Sequence, residues 1–206
     1  MKVVKIRASY PPPNRNALEK AAITPLEFHE LGKGGDKVFH EAIISAKNAS
    51  KFGAAVTAYP AEDYDKMRLF LTGDGMVGFA LDGNDIVSVF KHPDSDARHA
   101  AASILPFAIE QGGRRLDCFD TELPRIYSTA DFKAVARFAF DPKYQSKGWD
   151  KSTFKQFNGG YPDVVFMVHD PAYGKIYRAG DGKAVTDYDA GSKAQSDALK
   201  EGNARR

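Results

Sequence analysis

Asp120 and Tyr127 stand seven residues apart in LDCFDTELPRIY, which reads as a short apolar strand, a polar turn and the start of a helix. A phenol titrates near about 10 and a thiol near about 8.5. Tyr127 can therefore stabilise or protonate a thiolate while staying neutral itself. The alternative is an ordinary aromatic packed between helix and sheet. Asp120 can take a proton from an amine or anchor one as a cation. Equally, Asp120 or Thr121 ahead of ELPRIY has the chemistry of a helix N-cap. Cys118 alternates with Leu116 along the strand and reads as a small buried apolar residue rather than a nucleophile. Leu123, Ile126 and Tyr127 fall on one face of the helix that follows.

A second stretch with chemical potential lies upstream. The polar DSDARH (Asp94–His99) leads into the apolar AAASILPFAIEQGG (Ala100–Gly113). Backbone N–H groups at a helix start form a ready site for an anion. The short side chains of Ala97, Ala100, Ala101 and Ala102 leave the approach open, and Arg98 supplies a positive charge. Asp96 has the wrong sign unless it turns away to cap the helix. The plain alternative is a helix start that binds nothing. His92 and His99 lack a third partner at metal-ligand spacing, so no metal site is expected. GxSxG, Walker and zinc signatures are absent.

These residues need elements to place them. DIVSVFKHP (Asp85–Pro93) reads as a strand feeding the polar loop, and a helix is expected over 96–111, with Pro106 kinking it and Gly112-Gly113 ending it. Before it come strands over 68–71 and 76–81, joined by Asp-Gly turns. TPLEFHELG alternates as a strand, and residues 36–56 carry apolar positions at helical spacing behind Asp36 as a candidate N-cap. KAVARFAFDP and DVVFMVHDP are strands, the latter the clearest buried one. Lys143–Pro162 between them mixes Tyr144, Trp149, Phe154, Phe157 and Tyr161 with Lys143, Lys147, Lys151 and Lys155. Such a mixture can stack on bases and meet phosphates, or close into a small satellite core. The expected organisation is an extended segment over 1–23, one mixed α/β domain over 24–180 with a mostly antiparallel sheet flanked by helices, and a mobile tail or weak helix over 181–206.

The 206 residues suit one domain with a sizeable core. Hydrophobic residues at 43% and charged residues at 27% match a soluble globular chain. A formal net charge of +2 makes no electrostatic case for nucleic acid or membrane. With one cysteine, no internal disulfide can form. The N-terminus lacks the apolar run of a signal peptide, so a cytoplasmic protein is expected.

The order strand, polar loop, helix, strand, Tyr-bearing helix resembles the acyl-CoA site of GCN5-related (GNAT-type) N-acetyltransferases. In that family a cradle loop has Gln or Arg, two residues, Gly, one residue, then Gly or Ala. Asp96, His99 and Ala101 take those places here, and only Ala101 fits. The family's strand ends in Asn seven residues before the Tyr, where this chain has Asp120; its helix closes with Gly-Phe, where this chain has Asp131-Phe132. The resemblance implies acetyl-CoA as cofactor, held by Ser88, Phe90, His92, Arg98, His99, Ala100 and Ala101, with the pantetheine along 88–92 and the pyrophosphate over 96–101. It implies Tyr127 as the acid for the thiolate and Asp120 as base or amine anchor, with an unidentified protein, small-molecule or nucleic-acid acceptor and a homodimer as the open state of assembly. Residues 67–171 are also similar to acetyltransferase-like regions of large phage polyvalent proteins, which implies a bacterial host cytoplasm. Two other functions are compatible: a non-catalytic module of the same fold binding a host or phage partner, and acyl-CoA-dependent DNA base modification of the phage Mom type.

Overall fold

A computed structural model describes residues 5–204. It is a mixed α/β fold with mostly antiparallel strands flanked by helices, as the sequence implies. Two compact units divide the chain, one ending at Gly113 and the other beginning at Arg114.

The first unit carries five strands, β1 (Ile6–Tyr10), β2 (Phe28–Leu31), β3 (Arg68–Leu71), β4 (Val77–Asp82) and β5 (Asp85–Lys91), each antiparallel to the next. The segment expected to be extended chain over 1–23 thus contains a strand paired to β2, followed by the short helix α1 (Arg15–Lys20). Helices pack on both faces, α2 (Gly35–Ala49) with the short α3 (Ala61–Tyr64) on one side and α4 (Ala100–Glu110) on the other. On the α2 side, Phe39, Ile43, Tyr64, Leu69, Leu71 and Phe90 form one buried cluster. On the α4 side, Phe107 stacks on Phe28 at 5.1 Å and meets Phe70 and Phe79 edge-on. Gly78 makes room for the α2-side cluster, since a Cβ there would lie 2.5 Å from Leu71 and 2.8 Å from the Phe90 ring. The N-cap of α2 is Gly34, in the left-handed conformation, and not Asp36, which sits in the first turn.

The second unit orders its strands β6, β8, β7, β9, with β6 (Arg115–Phe119), β7 (Phe132–Phe138) and β8 (Val164–His169) antiparallel and the short β9 (Lys183–Val185) parallel to β7. Helix α5 (Leu123–Ser128) buries Pro124, Tyr127 and Ser128, whereas Ile126 is exposed. The tail over 181–206, expected to be mobile or a weak helix, forms β9 and the 17-residue helix α6 (Tyr188–Ala204). Small residues dock this helix: a Cβ on Gly191 would lie 2.3 Å from the Phe166 ring. Buried Gln195 donates to the Leu116 and Met167 carbonyls at 2.7 and 3.0 Å. The 143–162 insertion is a satellite core. Trp149 stacks on Phe154 at 4.1 Å, meets Phe119 and Phe140, and donates from Nε1 to the Gly160 carbonyl. Lys151 lies over the Tyr161 ring.

Candidate functional site

The strand expected to hold a cofactor is interrupted. Across β4 and β5, Gly78 faces Phe90 and Ala80 faces Val87, so Phe79 opposes both Ser88 and Val89. One extra residue on β5 makes a β-bulge there. Ser88 takes it up with φ 51, a left-handed conformation that a residue with a Cβ seldom adopts. The shift changes which side chains face the core: Val87 and Phe90, three apart, both pack against the α2-side cluster. Ser88 is 9% exposed, and its Oγ lies 2.8 Å from the hydroxyl of Tyr64, itself fully buried. Ser88 and Phe90 are therefore turned into the protein, and their backbone alone can meet a ligand.

The loop after β5 departs from the expected helix. Helix α4 begins at Ala100, not at 96, with His99 as a left-handed N-cap that makes no side-chain cap bond. The reason is a long-range tie: Arg98 N–H donates to Thr24 Oγ1 at 2.9 Å and Thr24 N–H donates to the Arg98 carbonyl at 3.2 Å. That exchange holds 94–98 outside the helix. His92 serves the turn, its Nδ1 accepting from the Asp94 N–H at 3.2 Å. Pro106 sits within α4 without ending it. Asp96 caps nothing; with Glu27, Asp74 and Asp94 it lines a groove of about 670 Å³ beside the loop. Arg98 and His99 are exposed. At the start of α4 the N–H groups of Ala100 and Ala101 have no helical acceptor.

In the second unit, Asp120 follows β6 and is half-buried. It does not cap α5, whose N-cap is Glu122; Leu123 N–H turns to Thr121 Oγ1 at 3.4 Å. Asp120 N–H donates to the Asp163 carbonyl at 2.7 Å, and Arg137 Nε pairs with Asp163 Oδ2 at 3.3 Å. Burial, followed by the charge of Asp163, pushes the Asp120 carboxyl up, while the Tyr177 hydroxyl acts the other way. The Tyr177 hydroxyl is buried beside Asp120 without a hydrogen bond of good geometry, and burial raises it above an ordinary phenol.

Tyr127 is 6% exposed, and burial, then the neighbouring Cys118, raises its phenol well above the usual value. It stays protonated across the physiological range, as an acid must. The buried Cys118 thiol is likewise pushed far up, which leaves it unfit as a nucleophile. No group of three metal-ligating side chains occurs among the described residues. None of their helices is long and apolar enough to cross a membrane.

Asp120, Tyr127 and the strand of Ser88 stand out in the sequence as candidates, whereas Tyr64, Asp163, Arg137 and Tyr177 do not. Tyr64 ends a helix of only four residues and Tyr177 lies in an irregular segment, so no periodicity marks either. No family model and no curated protein matches the chain in sequence. Solved structures of similar shape include the following two. One, from Rhodopseudomonas palustris, is described as a GCN5-related N-acetyltransferase; it is 12% identical with a TM-score of 0.45, over 72% of this chain and 97% of its own. The other is yncA from Salmonella typhimurium, described as a candidate acetyltransferase and solved with its cofactor acetyl-CoA; it is 11% identical with a TM-score of 0.45, over 76% of this chain and 99% of its own.

Proposed function

We propose that this chain is an acyltransferase of the GCN5-related N-acetyltransferase type, moving an acyl group from acyl-CoA to an amine. The observation that carries the reading is the bulge at Ser88. A left-handed serine inside a buried strand is strained, and strained strand positions gather at sites where backbone must be presented to a ligand. The strand then runs through a polar loop into a helix start with free N–H groups, in the order that the resemblance requires.

This reading rests on backbone groups more than on side chains. The β5 backbone from Ser88 to His92 would lie along the pantetheine. The N–H groups of Ala100 and Ala101, with Arg98, would meet the pyrophosphate. Asp94 and Asp96 oppose an anion in the same loop, so binding is expected to strengthen when they are neutralised. Acyl-CoA supplies a thioester, whose carbonyl carbon is the acyl donor. The resemblance gives the remaining roles to Asp120 and Tyr127. Asp120, its proton affinity raised by burial, takes a proton from the acceptor's ammonium and leaves a nucleophilic amine. Tyr127 keeps its proton at Oη and would steady a departing thiolate by donating a hydrogen bond to it, since burial makes the phenol too weak an acid to give the proton up to a thiolate.

A colorimetric assay for free thiol, run with acetyl-CoA and mixed amine acceptors, tests the reading. Thiol release that depends on acceptor, with a mass gain of one acetyl group on that acceptor, is expected. Release at the uncatalysed rate with every acceptor class would reject it.

The four carboxylates in the groove beside the loop favour a second reading, a module of the same fold that binds a partner without turnover. Base modification gains no support, because the insertion spends Trp149 and Phe154 on each other. A phage or mobile-element origin is part of the first reading only as what the resemblance of 67–171 implies.

A further inference from the structure

We infer that Tyr64 is a positioning residue for the acyl-CoA strand: its hydroxyl latches Ser88 in the left-handed conformation and so sets the path of the β5 backbone. This rests on the proposed acyltransferase reading for its functional consequence, and on the structure alone for the latch.

The latch is a directed chain of hydrogen bonds. Tyr59 N–H donates to the Tyr64 hydroxyl at 3.1 Å. Ser88 Oγ donates to the Thr57 carbonyl at 3.2 Å. With the serine proton committed there, the Tyr64 hydroxyl donates to Ser88 Oγ across 2.8 Å. Every donor in the chain has one acceptor, and every hydroxyl oxygen accepts once. The anchor is rigid. Tyr64 ends the short helix α3, is fully buried, and meets the rings of Phe39 at 4.9 Å and Tyr59 at 5.9 Å. Thr57 and Tyr59 belong to the segment between α2 and α3. The bulge is therefore held by a separate stretch of chain, through the serine side chain rather than through the sheet ladder.

A structural hydroxyl would find a partner anywhere on the strand. This one meets the single residue of β5 with positive φ. A glycine at 88 would adopt φ 51 without restraint. Serine needs holding, but once held it fixes the bulge in one state. Preorganised backbone is what a ligand lying along a strand requires.

The test is a double-mutant cycle on Tyr64→Phe and Ser88→Gly. Two readouts are followed: the backbone amide and Cα chemical shifts of residues 87–90, and the dissociation constant for acetyl-CoA by calorimetry. Tyr64→Phe keeps the ring and its packing. We expect shifts at 88–89 toward an averaged conformation and affinity lower by about tenfold, the equivalent of about 1.4 kcal/mol. In the Ser88→Gly background the same substitution should change neither readout by more than about twofold. Ser88→Ala, which removes the latch and keeps the strain, should match Tyr64→Phe, and it carries the test if the tyrosine variant does not fold. Loss of stability in Tyr64→Phe with unchanged shifts at 88–89, or an equal effect in both backgrounds, overturns the latch. If the parent protein binds no acetyl-CoA, the acyltransferase reading fails, and the chemical shifts still decide the latch.

Discussion

Arg68 grips Glu30 with two nitrogens, Nε on Oε1 and Nη2 on Oε2, each at 3.0 Å. Glu30 is 3% exposed, and the Tyr10 hydroxyl donates to it as well at 2.9 Å. The same guanidinium donates to the Gln111 carbonyl and side chain, so it ties β2 and β3 to the end of α4. The bond from Arg68 lowers the Glu30 carboxyl pKa. A lowered folded value means that the stabilisation is complete above the unfolded pKa, about 4.3, and is lost as pH falls through the folded value. Arg68→Met leaves a buried carboxylate with only the exposed Arg7, 3.6 Å away, as a cation and is expected to cost about 3 kcal/mol at pH 7. Denaturant titrations at pH 7 and pH 3 check this; the penalty should shrink markedly at pH 3, where Glu30 is neutral in the variant.

Asp120 carries the opposite sign. Its carboxyl is pushed up by burial and by Asp163, so the folded state holds the proton more tightly than the unfolded chain does. Stability is then lost as pH rises from the unfolded value, about 3.9, through the folded one. Asp120→Asn should stabilise by about 1 kcal/mol at pH 7 and change little at pH 3. Turnover should fall by about a hundredfold or more. Thermal melts at both pH values and the thiol assay check the pair of effects. A stable, fully active variant removes Asp120 from the mechanism.

Tyr127→Phe separates chemistry from packing. The ring fills its buried place, and the hydroxyl has no hydrogen-bond partner among the described residues. Stability is expected to stay within about 0.5 kcal/mol. Acetyl-CoA affinity should hold within about threefold, and turnover should drop by about a hundredfold to ten-thousandfold. Steady-state kinetics at saturating acetyl-CoA measure the drop.

Helix α6 depends on a residue without a side chain. Gly191→Val would place its Cβ within 2.3–2.6 Å of three atoms of the Phe166 ring, which is fully buried and has no room to swing. The expected cost is about 2 kcal/mol. Hydrogen exchange over 188–204 should speed up, while exchange in β3 to β5 stays unchanged.

The contrast between α6 and the β3–β5 meander shows what the sequence could carry. The meander was readable because Asp-Gly turns and apolar alternation act locally: β3 and β5 lie where that pattern puts them. Helix α6 buries small residues and a glutamine, so apolar content gave no sign of it; its hold on the sheet comes from Gln195 and the close approach at Gly191. The start of α4 was misplaced because the tie between Thr24 and Arg98 spans 74 residues. Asp120 and Tyr127 are candidates through their spacing alone. The bulge at Ser88 was invisible because left-handed backbone is usually signalled by Gly or Asn, and here a tyrosine from another segment enforces it on a serine.

The central claim is that the backbone from Ser88 to Ala101 holds acyl-CoA. An amide-resolved NMR titration with acetyl-CoA measures this directly. The account predicts saturable shifts concentrated at residues 88–92 and 98–101, with a dissociation constant below about 100 μM. Spectra that stay unchanged up to about 1 mM acetyl-CoA, or shifts confined to other strands, would contradict it.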